Sequence, residues 1–399
     1  MNEQQPIFTP EQFRTQAVEL SQAVAELHRR DSRLIDPHDP FENETEFHDY
    51  QSDYAEIVPQ IRIPGCRIPL RANDREKSKI RRFYNTVGGF LLMHLIFSNV
   101  LALGIEALIL ALLRLSDKAL VGDLPDNYNE LAAAYISDSS SMIALNILAI
   151  GVMNVVIIWL GCRATKIPIP NLFRTKKLDA FSIFSYITIA LLLQCAAGWA
   201  ALGLDTLFEG VGITLFTPDE DLGGGLKSVI LSIIYSIIIA PVTEELLMRG
   251  FVQKNLSRVS QRFGIFMTAF LFGVWHENVA QFILAFLVGI FFGYIDAKHD
   301  SLVPSIICHM AVNTLAELGS IFDQYGWDMA YTVLEYAYAA LIFFGLIVLI
   351  RMLIVERLPR TTPHQAERGL RQAIASPLLM IACGCHIALA VTWIITQSN

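Results

Sequence analysis

Ionisable side chains lie inside apolar stretches of this sequence. Burying a charge in hydrocarbon costs about 2.5 to 3.5 kcal/mol, so each such group needs a partner or a purpose. Three stretches concentrate them: PVTEELLMR at 241–249, FGVWHEN at 272–278 and HMAVN at 309–313. Together they supply carboxylates, imidazoles and an amide, which are the groups that activate a water molecule and stabilise an oxyanion.

The two adjacent glutamates of the first stretch cannot share one role, because neighbouring residues on a helix point about 100° apart. Glu245 and Arg249 are spaced i, i+4 in the order that favours an ion pair. This leaves Glu244 without a partner on its own helix, so it is a candidate general base. The alternative is that both glutamates are solvated at the rim of the membrane.

The histidines and the asparagine complete the candidate site. His309 and Asn313 are also spaced i, i+4 and project from one face of a helix, where two donors can form an oxyanion hole. His276 is a candidate partner for the base. Each of these residues could instead make a packing or interhelical contact. The conjunction of all of them on three apolar segments favours a catalytic site.

Long apolar segments must position these residues. The chain has 399 residues, of which 53% are hydrophobic and only 17% charged, and its mean hydropathy is +0.45. Nine stretches are about long enough to cross a bilayer, namely 86–113, 141–162, 180–203, 226–248, 264–280, 281–297, 302–321, 331–350 and 377–396. The sequence therefore predicts an all-α, polytopic bundle of about nine transmembrane helices. The fifth and sixth stretches are joined with almost no loop, so one of them could be short or partly re-entrant.

The domain organisation follows from the polar start of the chain. Residues 1–85 predict a partly disordered cytosolic extension, and residues 86–399 the transmembrane bundle, with a catalytic core at about 226–320. Lys and Arg are enriched in cytoplasmic loops near helix ends. Basic clusters at 71–82, 163–177, 249–262 and 351–371 alternate with acidic loops, which predicts a cytoplasmic N-terminus.

The three motifs, in this order on separate membrane helices, resemble a known family. They read Glu244-Glu245-x-x-x-Arg249, Phe272-x-x-x-His276 and His309-x-x-x-Asn313. These look like the signature motifs of the CPBP family, which includes the type II CAAX prenyl endopeptidase and bacterial relatives linked to bacteriocin processing and self-immunity. The resemblance covers about residues 226–318.

This resemblance implies an intramembrane protease and a role for each catalytic residue. Glu244 and His276 are expected to activate a water molecule, and His309 and Asn313 are expected to hold the oxyanion.

The resemblance also implies that Glu245 and Arg249 are structural or substrate-orienting. Glu277 departs from the pattern, because bacterial relatives commonly have Gly there. The extra carboxylate could tune His276 or reach the aqueous cavity.

Other classes remain open or are excluded. The zinc motif H-E-x-x-H fails because Ala280 stands at the second His position, but a Zn²⁺ site from Glu244, His276 and His309 stays possible. A non-catalytic peptide-binding immunity or scaffold protein and a transporter are further alternatives. The aspartyl pattern G-x-G-D does not occur. We expect no cofactor and no nucleic-acid partner; the expected partners are the lipid bilayer, in a bacterial cell membrane, and a membrane-associated peptide or protein substrate.

Overall fold

The computed structural model describes residues 71–122, 125–136, 139–174, 178–210, 212–213, 215, 225–258, 260–355 and 363–397. The chain divides into two units, Met1–Glu76 and Lys77–Asn399, and all the predicted site residues lie in the second. Most of the predicted N-terminal extension lies outside the described residues, so its boundary stays a prediction.

The described residues form eleven helices and no strand. They are α1 (Arg71–Val121), α2 (Tyr128–Ile136), α3 (Ser139–Asn146, continued through the π-helical turn Ile147–Gly151 into Val152–Ala164), α4 (Ala180–Glu209), α5 (Leu226–Leu256), α6 (Gln261–Trp275), α7 (Val279–His299), α8 (Val303–Gln324), α9 (Asp328–Val355), α10 (Pro363–Ile374) and α11 (Pro377–Gln397). A short 3₁₀ turn, Ile169–Phe173, lies between α3 and α4. The predicted all-α polytopic class is confirmed.

Within the described residues, eight helices are long and apolar enough to cross a membrane, one fewer than the nine stretches predicted. The difference is α6, which occupies the fifth stretch but has 15 residues. At 1.5 Å per residue it extends about 22 Å, less than the roughly 30 Å of hydrocarbon. It ends at Trp275, with His276 as its C-cap. Asn278 caps the next helix by accepting a hydrogen bond from the amide of Gln281.

Contacts between helix ends show which ends lie on the same side of the bundle. Arg81 Nε of α1 donates to Gln372 Oε1 of α10 at 2.7 Å, Arg258 Nη2 after α5 donates to Thr165 O after α3 at 3.0 Å, and Lys254 Nζ of α5 lies 2.9 Å from Asp300 Oδ1 after α7. We call this side the basic end. Because α6 begins just after Arg258 and α7 returns to Asp300, these two helices form a hairpin that starts and finishes at the basic end. Which side of the membrane this end faces stays a prediction.

The core lies between α4, α7 and α8. Ile189, Phe292 and Cys308 are fully buried there. Helix α9 packs on the outer side of α4, and Gly345 permits a close approach, because a Cβ atom at that position would collide with the carbonyl of Thr188. This packing fixes α8, which bears His309 and Asn313, against α7.

Helix α5 is not a regular α-helix. Two π-helical segments, Ile234–Ile239 and Leu246–Gln253, flank the α-helical Ala240–Glu245. The amide of Ala240 donates to Tyr235 O, five residues back. In the same register the next amide would serve Ser236 O, but residue 241 is proline and has no N–H. π-Helical turns are frequently found at functional sites, and here they flank both glutamates.

Candidate active site

Glu245 and Arg249 form the ion pair that their spacing predicts. Arg249 Nη1 lies 2.8 Å from Glu245 Oε1, and neither side chain has any exposed surface. A buried charge is tolerated only where a partner and further hydrogen bonds compensate it. Glu245 is thereby committed to holding Arg249.

Aromatic rings and a backbone carbonyl complete the surroundings of the Arg249 guanidinium. It lies over the rings of Phe272 and Phe292, with its carbon 4.5 and 5.6 Å from the two centroids, and its Nη2 donates to Gly289 O at 3.4 Å. A Cβ atom at Gly289 would approach Nη2 to 3.2 Å, so the glycine makes room for the arginine. Cation–π contacts strengthen when they are desolvated. Arg249 therefore joins α5 to α6 and α7.

His309 lies between the two glutamates. Its Nδ1 is 3.0 Å from Glu245 Oε1, and its Nε2 is 3.8 Å from Glu244 Oε2. A carboxylate only accepts hydrogen bonds, so Nδ1–H donates to Glu245 and Nε2 faces Glu244. The sequence predicted a partner for Glu245 on its own helix but did not predict this second partner on α8.

Glu244 is the less committed of the two carboxylates. Its side chain is 12% exposed. Among the described residues it makes no hydrogen bond, and its approach to His309 is 3.8 Å. Beside it, Thr243 accepts a hydrogen bond of 3.0 Å from Asn154 Nδ2 of α3. Glu244 therefore keeps its oxygens available for a ligand.

His276 ends α6 and is half-buried. Its Nδ1 is 2.7 Å from Phe272 O, and because a carbonyl only accepts, Nδ1 carries the proton and Nε2 is the basic nitrogen. The Phe272 ring lies against both imidazoles, with centroid distances of 4.8 Å to His276 and 6.1 Å to His309. No hydrogen bond joins Glu244 to His276 within the described part of the chain.

Asn313 has a structural contact that the sequence did not predict. Its Nδ2 donates to Ser236 O at 2.7 Å, the carbonyl that Pro241 leaves without a backbone donor in the π-helical register. One of the two amide hydrogens of Asn313 thus replaces the missing backbone donor to Ser236 O in α5. The other is available for an oxyanion.

Glu317 is a further polar residue beside the site that sequence analysis missed. It accepts hydrogen bonds from Ser232 Oγ at 2.5 Å and from Ser236 Oγ at 2.8 Å. The signal was available, because Glu317 continues the i, i+4 series of His309 and Asn313 on α8. These residues line one polar face of the helix.

A metal site needs several donor side chains around one point. Among the described residues, no group of three or more His, Cys, Asp or Glu side chains is arranged to hold a metal ion. A histidine binds a metal through one ring nitrogen, so the hydrogen bond from His309 Nδ1 to Glu245 leaves Nε2 able to act as a ligand. The zinc alternative from Glu244, His276 and His309 stays a prediction.

The fold is that of a multi-pass membrane protein whose ionisable side chains meet inside the bundle. Within it, residues 226–315 match the protein-family model described as Type II CAAX prenyl endopeptidase Rce1-like. The match confirms the resemblance over this segment, which includes α5 to α7 and most of α8 and contains all six predicted site residues. No match to the chain was found among curated proteins or among solved structures.

Breaking the buried ion pair should destabilise the protein. We expect Glu245→Gln to lower the free energy of unfolding by about 3 to 5 kcal/mol, because Arg249 then keeps a buried, uncompensated charge. Denaturant unfolding of the purified protein in detergent measures this. Glu335→Gln on α9, an exposed glutamate of another membrane helix, is the control and should change stability by less than about 0.5 kcal/mol. Equal effects of the two substitutions would contradict the prediction.

The contact of Asn313 with Ser236 predicts an energetic coupling to Pro241. Asn313→Ala should cost about 1 kcal/mol of stability, the usual net value of a hydrogen bond. In a Pro241→Ala background the new amide can donate to Ser236 O, so the same substitution should cost less. A double-mutant cycle of unfolding free energies measures the difference. Strictly additive effects would show that the two donors do not serve one carbonyl.

Proposed function

We propose that this protein is an intramembrane endopeptidase in which Glu244 acts as the general base. The observation that carries the proposal is the difference in contacts between the two adjacent glutamates. Glu245 is bound to Arg249 and His309, whereas Glu244 stands beside His309 with its oxygens available. The Rce1-like match of the surrounding segment supports a protease.

The proposed reaction is hydrolysis of a peptide bond by an activated water. The Glu244 carboxylate takes a proton from the water, and the resulting hydroxide adds to the carbonyl carbon of the substrate. His276, whose Nε2 is the basic ring nitrogen, helps to orient this water. The carbon–nitrogen bond then breaks, and the proton held by Glu244 passes to the departing amine.

The negative charge on the tetrahedral intermediate needs hydrogen-bond donors. Asn313 supplies the amide hydrogen that Ser236 does not use. His309 can supply Nε2–H only when it carries both ring protons, because Nδ1–H is given to Glu245.

We propose a peptide or protein associated with the membrane as the substrate, such as a prenylated CAAX protein or a bacteriocin precursor. The basic end contains Arg81, Lys254 and Arg258, and basic residues favour the cytoplasmic side. We therefore propose that this end and the N-terminus lie in the cytoplasm; the proposal of a bacterial cell rests on the family resemblance alone.

Removing the proposed base should abolish cleavage while keeping the fold. Glu244→Gln preserves the shape of the side chain and alters only the 3.8 Å approach to His309, so we expect unfolding as in wild type. We also expect loss of the differential products when terminal peptides of host membranes are compared by mass spectrometry. Glu335→Gln is again the control and should cleave like wild type.

The alternatives make different predictions for the same variant. A non-catalytic immunity or scaffold protein would keep its phenotype with Gln at position 244. Identical terminal peptides in wild-type and variant membranes would likewise argue against proteolysis.

Chelation tests the zinc alternative. The glutamate-activated water needs no metal, so we expect cleavage to persist when EDTA or 1,10-phenanthroline is added to wild-type membranes. Complete loss that added Zn²⁺ restores would replace the proposed mechanism with metal-assisted hydrolysis.

A further inference from the structure

The turn between α6 and α7 consists of His276, Glu277 and Asn278 and has an unusual backbone. Glu277 has φ +56°, in the left-handed region that glycine adopts readily and other residues rarely do. A non-glycine residue persists in such a conformation when its surroundings hold it there, often near functional sites. Helix capping alone does not explain a glutamate at this position.

The side chain of Glu277 is bound by a histidine from the C-terminal helix. His386 Nδ1 of α11 donates to Glu277 Oε1 at 2.8 Å. The His386 side chain is 5% exposed and that of Glu277 33% exposed. The carboxylate that sequence analysis placed beside His276 therefore forms an interhelical hydrogen bond.

The residue on the other side of His276 is also held by a histidine. The Trp275 ring lies 5.4 Å from the ring of His94 on α1 and 5.5 Å from that of His276. His94 is buried, with 4% exposure. Both neighbours of His276 in the chain are thus contacted by histidines.

The two histidines come from helices that lie against each other. A Cβ atom at Gly88 of α1 would collide with the backbone of Leu379 of α11, so only glycine permits this approach. Neither helix belongs to the segment 226–315 that matches the Rce1-like model. The parts of this chain outside that segment therefore reach the turn that bears His276.

We propose that His386 and Glu277 are positioning residues for the endopeptidase reaction, and that their hydrogen bond fixes the turn so that His276 points into the site. This inference rests on the proposed function for its catalytic readout, because it takes His276 as a catalytic residue. His386 acts through Glu277, and Glu277 acts through the backbone of the turn; neither touches the substrate. In this proposal α11 positions the turn that bears His276.

Glycine at position 277 separates positioning from stability. Glycine suits φ +56° better than glutamate does. This gain offsets the cost of leaving buried His386 without its acceptor, so Glu277→Gly should change the melting temperature little. The variant loses the hydrogen bond between His386 and residue 277, which we call the tether. We expect kcat to fall about 10-fold or more with KM unchanged, since small displacements of catalytic groups can lower the rate about 100-fold. The probe is an internally quenched peptide with a farnesylated Cys in a C-terminal CAAX sequence, cleaved by the full-length protein in nanodiscs.

Four further variants identify the tether as the cause. Glu277→Gln keeps an acceptor for His386 and should retain wild-type kcat. His386→Ala should lower kcat as Glu277→Gly does, and the double variant should show no additional loss. Lys166→Gly is the matched control, because Lys166 has φ 58° in an exposed turn away from the site. It should keep wild-type kcat.

Backbone exchange tests the inference without activity. In His386→Ala, hydrogen–deuterium exchange at the amides of residues 275–279 should accelerate several-fold, whereas Thr392→Ala should leave it unchanged. Thr392 is exposed on the same helix, and its hydroxyl donates to Ala388 O one turn earlier in that helix.

The two failures are distinguishable. Unchanged exchange in His386→Ala, or unchanged kcat in an active protein, overturns the tether. A wild-type protein that generates no cleavage products in its host, even with the turn protected as expected, overturns the proposed function instead.

Discussion

The burial of Arg249 is the constraint on which the rest of this site depends. A guanidinium with no exposed surface needs a counter-charge and hydrogen-bond acceptors. Glu245 supplies the counter-charge, Gly289 a carbonyl, and the rings of Phe272 and Phe292 the remaining contacts. These partners come from α5, α6 and α7, so satisfying one charge fixes three helices relative to each other. Glu245 is held by these contacts, whereas the adjacent Glu244 keeps its oxygens available, as the proposed mechanism requires.

The same principle recurs one turn further along α5. Gln253 Nε2 donates to Gly293 O at 2.9 Å, as Arg249 does to Gly289 O. Side chains four residues apart on α5 thus bind carbonyls four residues apart on α7, where glycines permit close approach. In a bilayer the hydrophobic effect does not hold helices together, so polar side chains bonded to backbone carbonyls are an effective alternative. This row of contacts between α5 and α7 ends at the basic end, where Lys254 pairs with Asp300.

Local spacing predicted some of this arrangement and missed the rest for physical reasons. The pair Glu245–Arg249 and the common face of His309 and Asn313 follow from helix periodicity, and the apolar stretches predicted the bundle. The bond from Asn313 to Ser236 O depends on a π-helical register that puts the missing amide of Pro241 opposite that carbonyl, and no composition rule indicates this register. The contact of Glu277 with His386 joins residues 109 positions apart, beyond any local pattern. Within the described residues the count of nine crossings was one too high, because apolar residues continue past the turn that ends α6. The alternative that the fifth or sixth stretch is short is confirmed for α6.

His309 connects the buried Arg249–Glu245 pair to Glu244. Its imidazole lies 3.0 Å from Glu245 and 3.8 Å from Glu244, on opposite ring nitrogens. Any displacement of the Arg249–Glu245 pair therefore moves the ring that faces Glu244. Catalytic groups need positions accurate to about 0.5 Å. Packing of apolar helices in a bilayer does not by itself fix side-chain positions that accurately. The buried ion pair fixes one side of the site through α5 and α8. The opposite side, at His276, lies at a turn between two helices, where a long-range contact such as that from His386 can fix what local structure leaves free.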